Sequence, residues 1–404
     1  MSAPVADLAL AQAEPAPADT PVALVHLALA MGGFAIGTTE FASMGLLPYI
    51  AQGLKVDVPT AGHVISAYAL GVVVGAPVLA VLGARMARRT WLIVLMSLFG
   101  LFNGLSAMAP TYHWMLLFRF LSGLPHGAYF GVAALVAASL VPPGKRSQAV
   151  GRIMLGLTVA TIVGVPAAGW LGQSVGWRWG IALVAVLALI CAAMVAVFAP
   201  RDRGDPEASP LRELGALTKG QVWLTLGIGA IGFGGLFSVY AYLASTLMAV
   251  THASHLAVAL VFASFGVGMT LGNIVVPRFA DRALMPTAAV LLVWSAVWLL
   301  LYPLAAGHVW SMLVVTFAIG IGGALGTILQ TRLMDVAGDA QSLAAALNHS
   351  AFNTANALGP WLGGMAIAAG WGWGSTGPVG SGLALAGLAV WALAMWLDRV
   401  RARR

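Results

Sequence analysis

One carboxylate and one guanidinium stand out in this sequence because of where they fall. Of the thirteen Asp and Glu residues, twelve lie in loops, tails or the ends of apolar runs, and Glu40 alone lies well inside one. Arg119 sits inside another. An ionisable group in lipid costs about 2.5–3.5 kcal/mol or more on insertion scales, so such a group is functional or is paired. An always-charged guanidinium in lipid needs a partner. Burial favours the neutral acid and a nearby Arg favours the carboxylate, so access and partner distance could switch the protonation of Glu40. Two readings stay open: Glu40 carries a proton, or Glu40 and Arg119 form a static pair that fixes two helices.

Helical spacing gives each of these residues a face. At about 100° per residue, Gly33, Gly37 and Met44 share the face of Glu40, and Ser122, Gly123, His126 and Phe130 share that of Arg119. At about 1.5 Å per residue the two lie about 12 Å and about 9 Å from one end of their helices. They are expected to approach each other or to share a water-filled cavity. His126 could titrate near neutral pH, or it could be a hydrogen-bonded residue beside the Pro125 kink. His349 shares one helical sector with Asn348, Asn353 and Asn356. Buried amides need partners, so that sector should line a cavity or meet a facing helix. Tyr68, Tyr129, Phe237 and Tyr240, with Phe233 and Tyr242, are candidates for an aromatic cavity wall, and are equally ordinary membrane core.

Other chemistries find no support. There is no HExxH pair for a zinc hydrolase, no GxSxG run and no GxxxxGK[ST] phosphate loop. The single cysteine, Cys191, excludes a disulfide or multi-thiolate metal site within the chain. No enzyme, cofactor or metal function is expected.

The elements that must hold these residues follow from composition. The chain has 404 residues, 60% of them hydrophobic and 8% charged, with mean hydropathy +0.92. Soluble domains are near a quarter charged, so the solvent of this chain is mostly lipid. A spanning helix needs about 20 apolar residues. Twelve spans are expected at 22–47, 60–82, 91–109, 113–140, 150–174, 177–199, 220–249, 255–276, 287–306, 308–333, 342–370 and 377–397. The expected organisation is an acidic, disordered tail (1–20), a six-helix bundle (21–199), a polar linker (200–219), a second six-helix bundle (220–398) and a basic tail (399–404). The first twenty residues lack Lys and Arg, unlike the basic start of a cleavable leader.

The net charge of +7 is a topology signal. Loops after even-numbered spans hold Arg85, Arg88, Arg89, Lys145, Arg146, Arg152, Arg201, Arg203, Arg212, Lys219, Arg278, Arg282 and Arg332. Arg399, Arg401, Arg403 and Arg404 follow the last span, and the opposite side has only Lys55 and Arg178. Positive charge marks cytoplasmic loops, so both termini are expected in the cytoplasm. This distribution gives no nucleic-acid footprint. The halves repeat weakly: GVPAAGWLG at Gly164–Gly172 parallels LGPWLGG at Leu358–Gly364, and GARMARR at Gly83–Arg89 parallels PRFADR at Pro277–Arg282, both about 194 positions apart. Two halves of the same orientation are typical of duplicated transporters with a cavity between them.

Small residues and proline crowd the fifth span at Gly156, Gly164, Pro166 and Gly169. Such a run reads as a close-packed seam or hinge, or as ordinary membrane packing. Taken in order, GTTEFASMGLLP (Gly37–Pro48), RFLSGLPHGAYFG (Arg119–Gly131), GLTVATIVGVPAAGWLG (Gly156–Gly172) and GWRW (Gly176–Trp179) resemble the first, fourth, fifth and sixth helices of the major facilitator superfamily. The likeness is greatest to its twelve-helix drug:proton antiporters of the arabinose-efflux-permease branch. The resemblance implies an all-α membrane protein with twelve transmembrane helices in two pseudo-symmetric bundles, lodged in the cell inner membrane and acting as a monomer. It further implies alternating access, with small molecules (drugs, sugars or metabolites) exported against protons and with Glu40 and Arg119 in the proton-coupling places, to which His126 adds a third candidate on its own chemistry. Import or symport, and a sensor that binds without transporting, are the alternatives. The resemblance places gating contacts at Arg85, Arg88, Arg89 and, in the second half, Asp281. One position departs from it: Ala84 stands where the family carries an acid after its glycine, which puts the usual salt-bridge latch of the first half in question.

Overall fold

The computed structural model describes residues 21–202, 204 and 210–402. The acidic tail, Arg203, Arg403 and Arg404 lie outside the described residues. Hydropathy drives the chain into helices because backbone groups in lipid must be satisfied within the segment. The long helices are α1 (Val22–Gly45), α2 (Val58–Gly83), α3 (Arg88–Ala107), α4 (Tyr112–Ser139), α5 (Pro143–Ser174), α6 (Trp177–Phe198), α7 (Gly220–Ala249), α8 (His255–Ala280), α9 (Leu284–Ala305), α10 (Val309–Val336), α11 (Gln341–Ala366) and α12 (Thr376–Ala402). Eleven are long and apolar enough to cross a membrane. The remaining one, α11, has the length, at 26 residues, but carries the Asn/His sector.

Observed helix ends differ from the expected ones where capping or proline intervenes. The first span stops at Gly45. A short helix, Leu47–Leu54, follows it, with Pro48 in its first turn and Lys55 in the left-handed region at φ 57° closing it. Asp57 then caps α2 by accepting from the Thr60 amide at 2.8 Å, and the Thr60 hydrogen bonds hold its carboxyl below the usual range. The fifth span starts earlier than expected, so Arg146 is helical. A π-helical turn at Ala160–Gly164 interrupts it just ahead of Pro166.

Contacts divide the chain into two compact units. One runs through Lys219 and includes Leu333–His349; the other comprises Gly220–Arg332 and Ser350–Arg404. In the first, α2 packs on α4, α3 on α6, and α1 against α5 and α6. In the second, α8 packs on α10, α9 on α12, and α7 on α12. Each pairing in the second set is one of the first shifted by six helices, which is the internal repeat expressed in three dimensions. The first unit has a core of Val25, Leu29, Ile36, Leu95, Phe99, Tyr129, Phe130 and Val184. Outward residues such as Val197 and Leu304, 72% and 82% exposed, are apolar, as a lipid-facing surface requires. Exposed Trp114, Trp170, Trp179, Trp310 and Trp371 lie near helix ends, where amphipathic rings suit the membrane interface.

Small residues bring backbones together at the seams. A Cβ on Gly156 would lie 1.8 Å from the Ala30 carbonyl, and one on Gly164 would lie 2.1 Å from Thr38 Oγ1, so both glycines are contact points between α5 and α1. Gly169, five residues after Gly164, has no atom within 4 Å of such a Cβ.

Candidate functional site

Arg119, on α4, is 1% exposed. Its Nη1 donates to Thr39 Oγ1 of α1 at 2.9 Å and to Asn103 Oδ1 of α3 at 3.4 Å. Thr39 in turn donates to Asn103 Oδ1 at 2.9 Å, and Asn103 anchors itself by donating to the Phe99 carbonyl at 2.8 Å. The guanidinium carbon lies 4.5 Å from the Tyr68 ring centroid, so α2 supplies a cation–π face. Three helices, α1, α2 and α3, thus converge on one cation carried by α4, each through a neutral group. Nε of Arg119 is buried and has no hydrogen-bond partner.

Glu40 follows Thr39 directly and is partly exposed. Its charge acts on both Arg119 and Tyr68. Among the described residues no ion pair within 4.0 Å joins it to Arg119. The two are neighbours in one electrostatic site without forming a contact pair.

His126 is fully buried one turn beyond Ser122. Tyr68 Oη lies 2.9 Å from its Nδ1, and its Nε2 lies 3.2 Å from His349 Nδ1. The His349 ring stacks on Phe130 with centroids 4.1 Å apart and planes at 11°. Tyr129 donates to the Leu29 carbonyl at 2.7 Å within the core between α1 and α6. In the second unit, Phe237 meets Phe233 edge-on, Phe233 stacks on Phe352, and Tyr240 packs on Phe262 and Phe265. Asn348 and Asn353 are buried, and Asn356 is partly so.

The arginine-rich end has its own acids. The Asp202 carboxylate accepts from the Arg88 amide at 2.7 Å and the Arg89 amide at 3.2 Å, capping α3, while the Arg89 guanidinium donates to the Ala196 carbonyl. Glu213 accepts from the Leu343 amide at 3.0 Å in the first turn of α11. Burial pushes the Glu213 carboxyl above its usual range, against its hydrogen bonds from Leu343 and Ser342 and the charge of Arg88. Arg146 pairs with Asp335 at 3.7 Å. Ala84 is an ordinary helix-end residue, and linker acids serve both helix N-termini. In the second unit Asp281 lies at the C-terminal end of α8, where its amide bonds the Pro277 carbonyl, and Arg332 pairs with Asp398.

Thr39, Asn103, Asp202 and Glu213 were not singled out in the sequence. A signal existed for Asn103, an amide at the centre of an apolar run. None existed for the linker acids, which look like any solvated loop charge.

Duplicated helical units that bury a cation beside an embedded carboxyl define a polytopic membrane carrier. A family model described as Major Facilitator Superfamily matches residues 29–283. The inner membrane transport protein YdhP of Escherichia coli (strain K12) is 43% identical over 373 residues, covering 90% of this chain and 93% of that protein. A chloramphenicol resistance protein of Streptomyces lividans is 33% identical over 350 residues, covering 84% and 88%. The crystal structure of the Escherichia coli fucose:proton symporter FucP superimposes with TM-score 0.72 at 13% identity, covering 93% of this chain and 98% of that one, a likeness of fold. The chain belongs to the Major Facilitator Superfamily. It is a multi-pass membrane transporter of small molecules and not an enzyme.

Proposed function

We propose that this transporter exports small molecules in exchange for protons, with Glu40 as the proton carrier. The observation that carries this reading is the arrangement of Arg119. Its hydrogen bonds go to the neutral Thr39 and Asn103, while the charge of Glu40 reaches it without a contact pair. Ionised Glu40 is then stabilised by Arg119, and protonated Glu40 leaves the guanidinium held by its other partners. Each charge state has a defined structure, as a carrier that alternates between them requires. The arginine-rich end is cytoplasmic on this reading, both termini lie inside, and the protein works as a monomer in the inner membrane. The substrates are drug-like compounds, sugars or metabolites. Support for a drug comes from the relative named for chloramphenicol resistance.

The test uses everted membrane vesicles with an acid interior, and chloramphenicol within a panel of radiolabelled compounds. Accumulation that collapses on dissipating the pH gradient, and that Glu40→Gln abolishes, is the expected result. Accumulation that ignores the gradient sinks the proton coupling. Accumulation driven by the opposite gradient turns the assignment to import.

A further inference from the structure

The α10–α11 hairpin is set apart from the helices that carry it. Leu333–His349 belongs to the first unit, whereas the rest of α10 and α11 belongs to the second. Within the first unit the hairpin seats on α4 and α5 through small residues. A Cβ on Gly127 would lie 3.0 Å from the Ala346 carbonyl, and one on Gly131 would lie 2.8 Å from the Ser342 carbonyl. Met334 and Ala345 complete the seat against Ala134, Leu135 and Val150. Alanines bury little apolar area, so such a seat holds weakly. Both side chains of the Arg146–Asp335 pair reach solvent, so that pair adds little.

Two side chains of the linker grip the hairpin more firmly. Lys219 Nζ donates to the Ala337 carbonyl at 2.6 Å. It lies over the left-handed turn at Gly338 (φ 59°), where a Cβ would come within 2.5 Å of that nitrogen. Glu213 accepts from the Leu343 amide at 3.0 Å and from Ser342. Both donors lie in the first turn of α11, where helix amides lack intrahelical partners. Ala340, the residue before the helix, has no side chain to cap them. A carboxylate there also meets the positive end of the helix dipole. Glu213 rides on a short linker helix, Pro210–Leu214, that packs on α2, and the charge of Arg88 acts on it. An acid is thereby supplied near the turn between α2 and α3, where position 84 holds alanine.

Both arms of the hairpin lead to a break in the regular ladder. A 3-10 turn at Gly322–Ala324 interrupts α10, and Pro360 lies inside α11. Each gives up α-helical backbone bonds, so the hairpin can swing on these points.

We infer that the linker, through Glu213 and Lys219, is a strap that clasps the α10–α11 hairpin onto α4 and α5, with Glu213 standing in for the acid missing at position 84. Clasped, the hairpin covers Leu135 and Val150; released, it swings out and uncovers them. The strap sets how often that happens. It needs no particular solute or ion, so it stands apart from the proton-coupled reading.

The reporter is Val150→Cys, which puts a smaller side chain at a fully buried position under the hairpin. The full chain in lipid nanodiscs is exposed to a membrane-impermeant maleimide, and labelling is read by peptide mass. The native Cys191, buried in the core of the same unit, is the internal control. In this background Glu213→Ala and Lys219→Met should each speed labelling at position 150 about three- to tenfold, with Cys191 unchanged. Ala84→Asp added to Glu213→Ala should restore the slow rate. Labelling at the unsubstituted rate in both single variants overturns the strap. An equal rise at position 150 and at Cys191 marks general loosening and overturns it too. Failure of Ala84→Asp to slow labelling overturns the stand-in role of Glu213. Should Glu213→Ala fail to fold, Lys219→Met decides the strap, and Glu213→Gln with Ala84→Asp decides the stand-in.

Discussion

Arg119 directs its Nη1 to Thr39, 2.9 Å away, and not to Glu40, the next residue along the same helix. The cation is thereby held by a neutral hydroxyl, and the Glu40 carboxyl acts on it at longer range. Replacing Glu40 should then disturb transport and leave the scaffold intact. Glu40→Gln is expected to bring gradient-driven accumulation to background while expression and melting temperature match the unsubstituted protein. A melting temperature well below it would instead make Glu40 a structural partner.

Thr39 should matter more for stability. Thr39→Val keeps the shape but removes the acceptor of a buried guanidinium and the donor to Asn103, at a cost of about 1–3 kcal/mol. Thr39→Ser should recover most of that. Thermal unfolding in detergent distinguishes the two, and a loss in Thr39→Ser with none in Thr39→Val would show that the methyl group, not the hydroxyl, is what counts.

The two glycines of α5 should behave oppositely. Gly156→Ala sets a methyl against the Ala30 carbonyl, with 1.8 Å of room, and should separate α1 from α5 at a cost of about 1–3 kcal/mol or more. Gly169→Ala has open space and should be tolerated or slightly stabilising. Comparable damage from both would mean that glycine content and not position is what the seam needs.

Glu213 gives a pH signature outside the membrane. Its folded carboxyl is raised above the unfolded value, chiefly by burial, so the folded state holds the proton more readily. This contribution is fully present below the unfolded value and is lost as pH rises through the folded one. Glu213→Gln keeps an acceptor for the Leu343 amide and removes the ionisation. The melting temperature of the unsubstituted protein should fall as pH rises above the ordinary Glu range of about 4.3, and the variant should show a shallower fall. An unchanged slope would remove Glu213 from the account.

Asp202→Ala should lose the cap shared by the Arg88 and Arg89 amides, at about 1 kcal/mol. Asp202→Asn should lose less, because one acceptor oxygen remains. Amide hydrogen exchange in the first turn of α3 reads this directly.

The spans, the embedded carboxyl and, among the described residues, the buried cation Arg119 were legible in the sequence because a charge in an apolar run is costly and therefore rare. The bonds of Arg119 were not. They depend on the rotation of α1, α3 and α4 about their axes, and a threonine or asparagine in such a run carries no comparable penalty to draw notice. Gly164 and Gly169 looked alike for a related reason. The π turn at Ala160–Gly164 inserts an extra residue per turn, so faces counted at a regular helical step drift beyond it. His349 could be assigned to a polar sector from spacing alone, but its partner at position 126 is 223 residues away in the chain and no local pattern links them.

The polar face of α11 has a consequence for how the protein is made. Its sector of Asn348, His349, Asn353 and Asn356 leaves this helix outside the set apolar enough to cross a membrane unaided. A nascent α11 leaving the ribosome would therefore pause at the insertion machinery, since lipid offers its amides nothing to bond. Its entry must wait for earlier helices to present partners, so the order of synthesis becomes part of the folding code. A helix with this polar face is admitted to the bilayer by its neighbours.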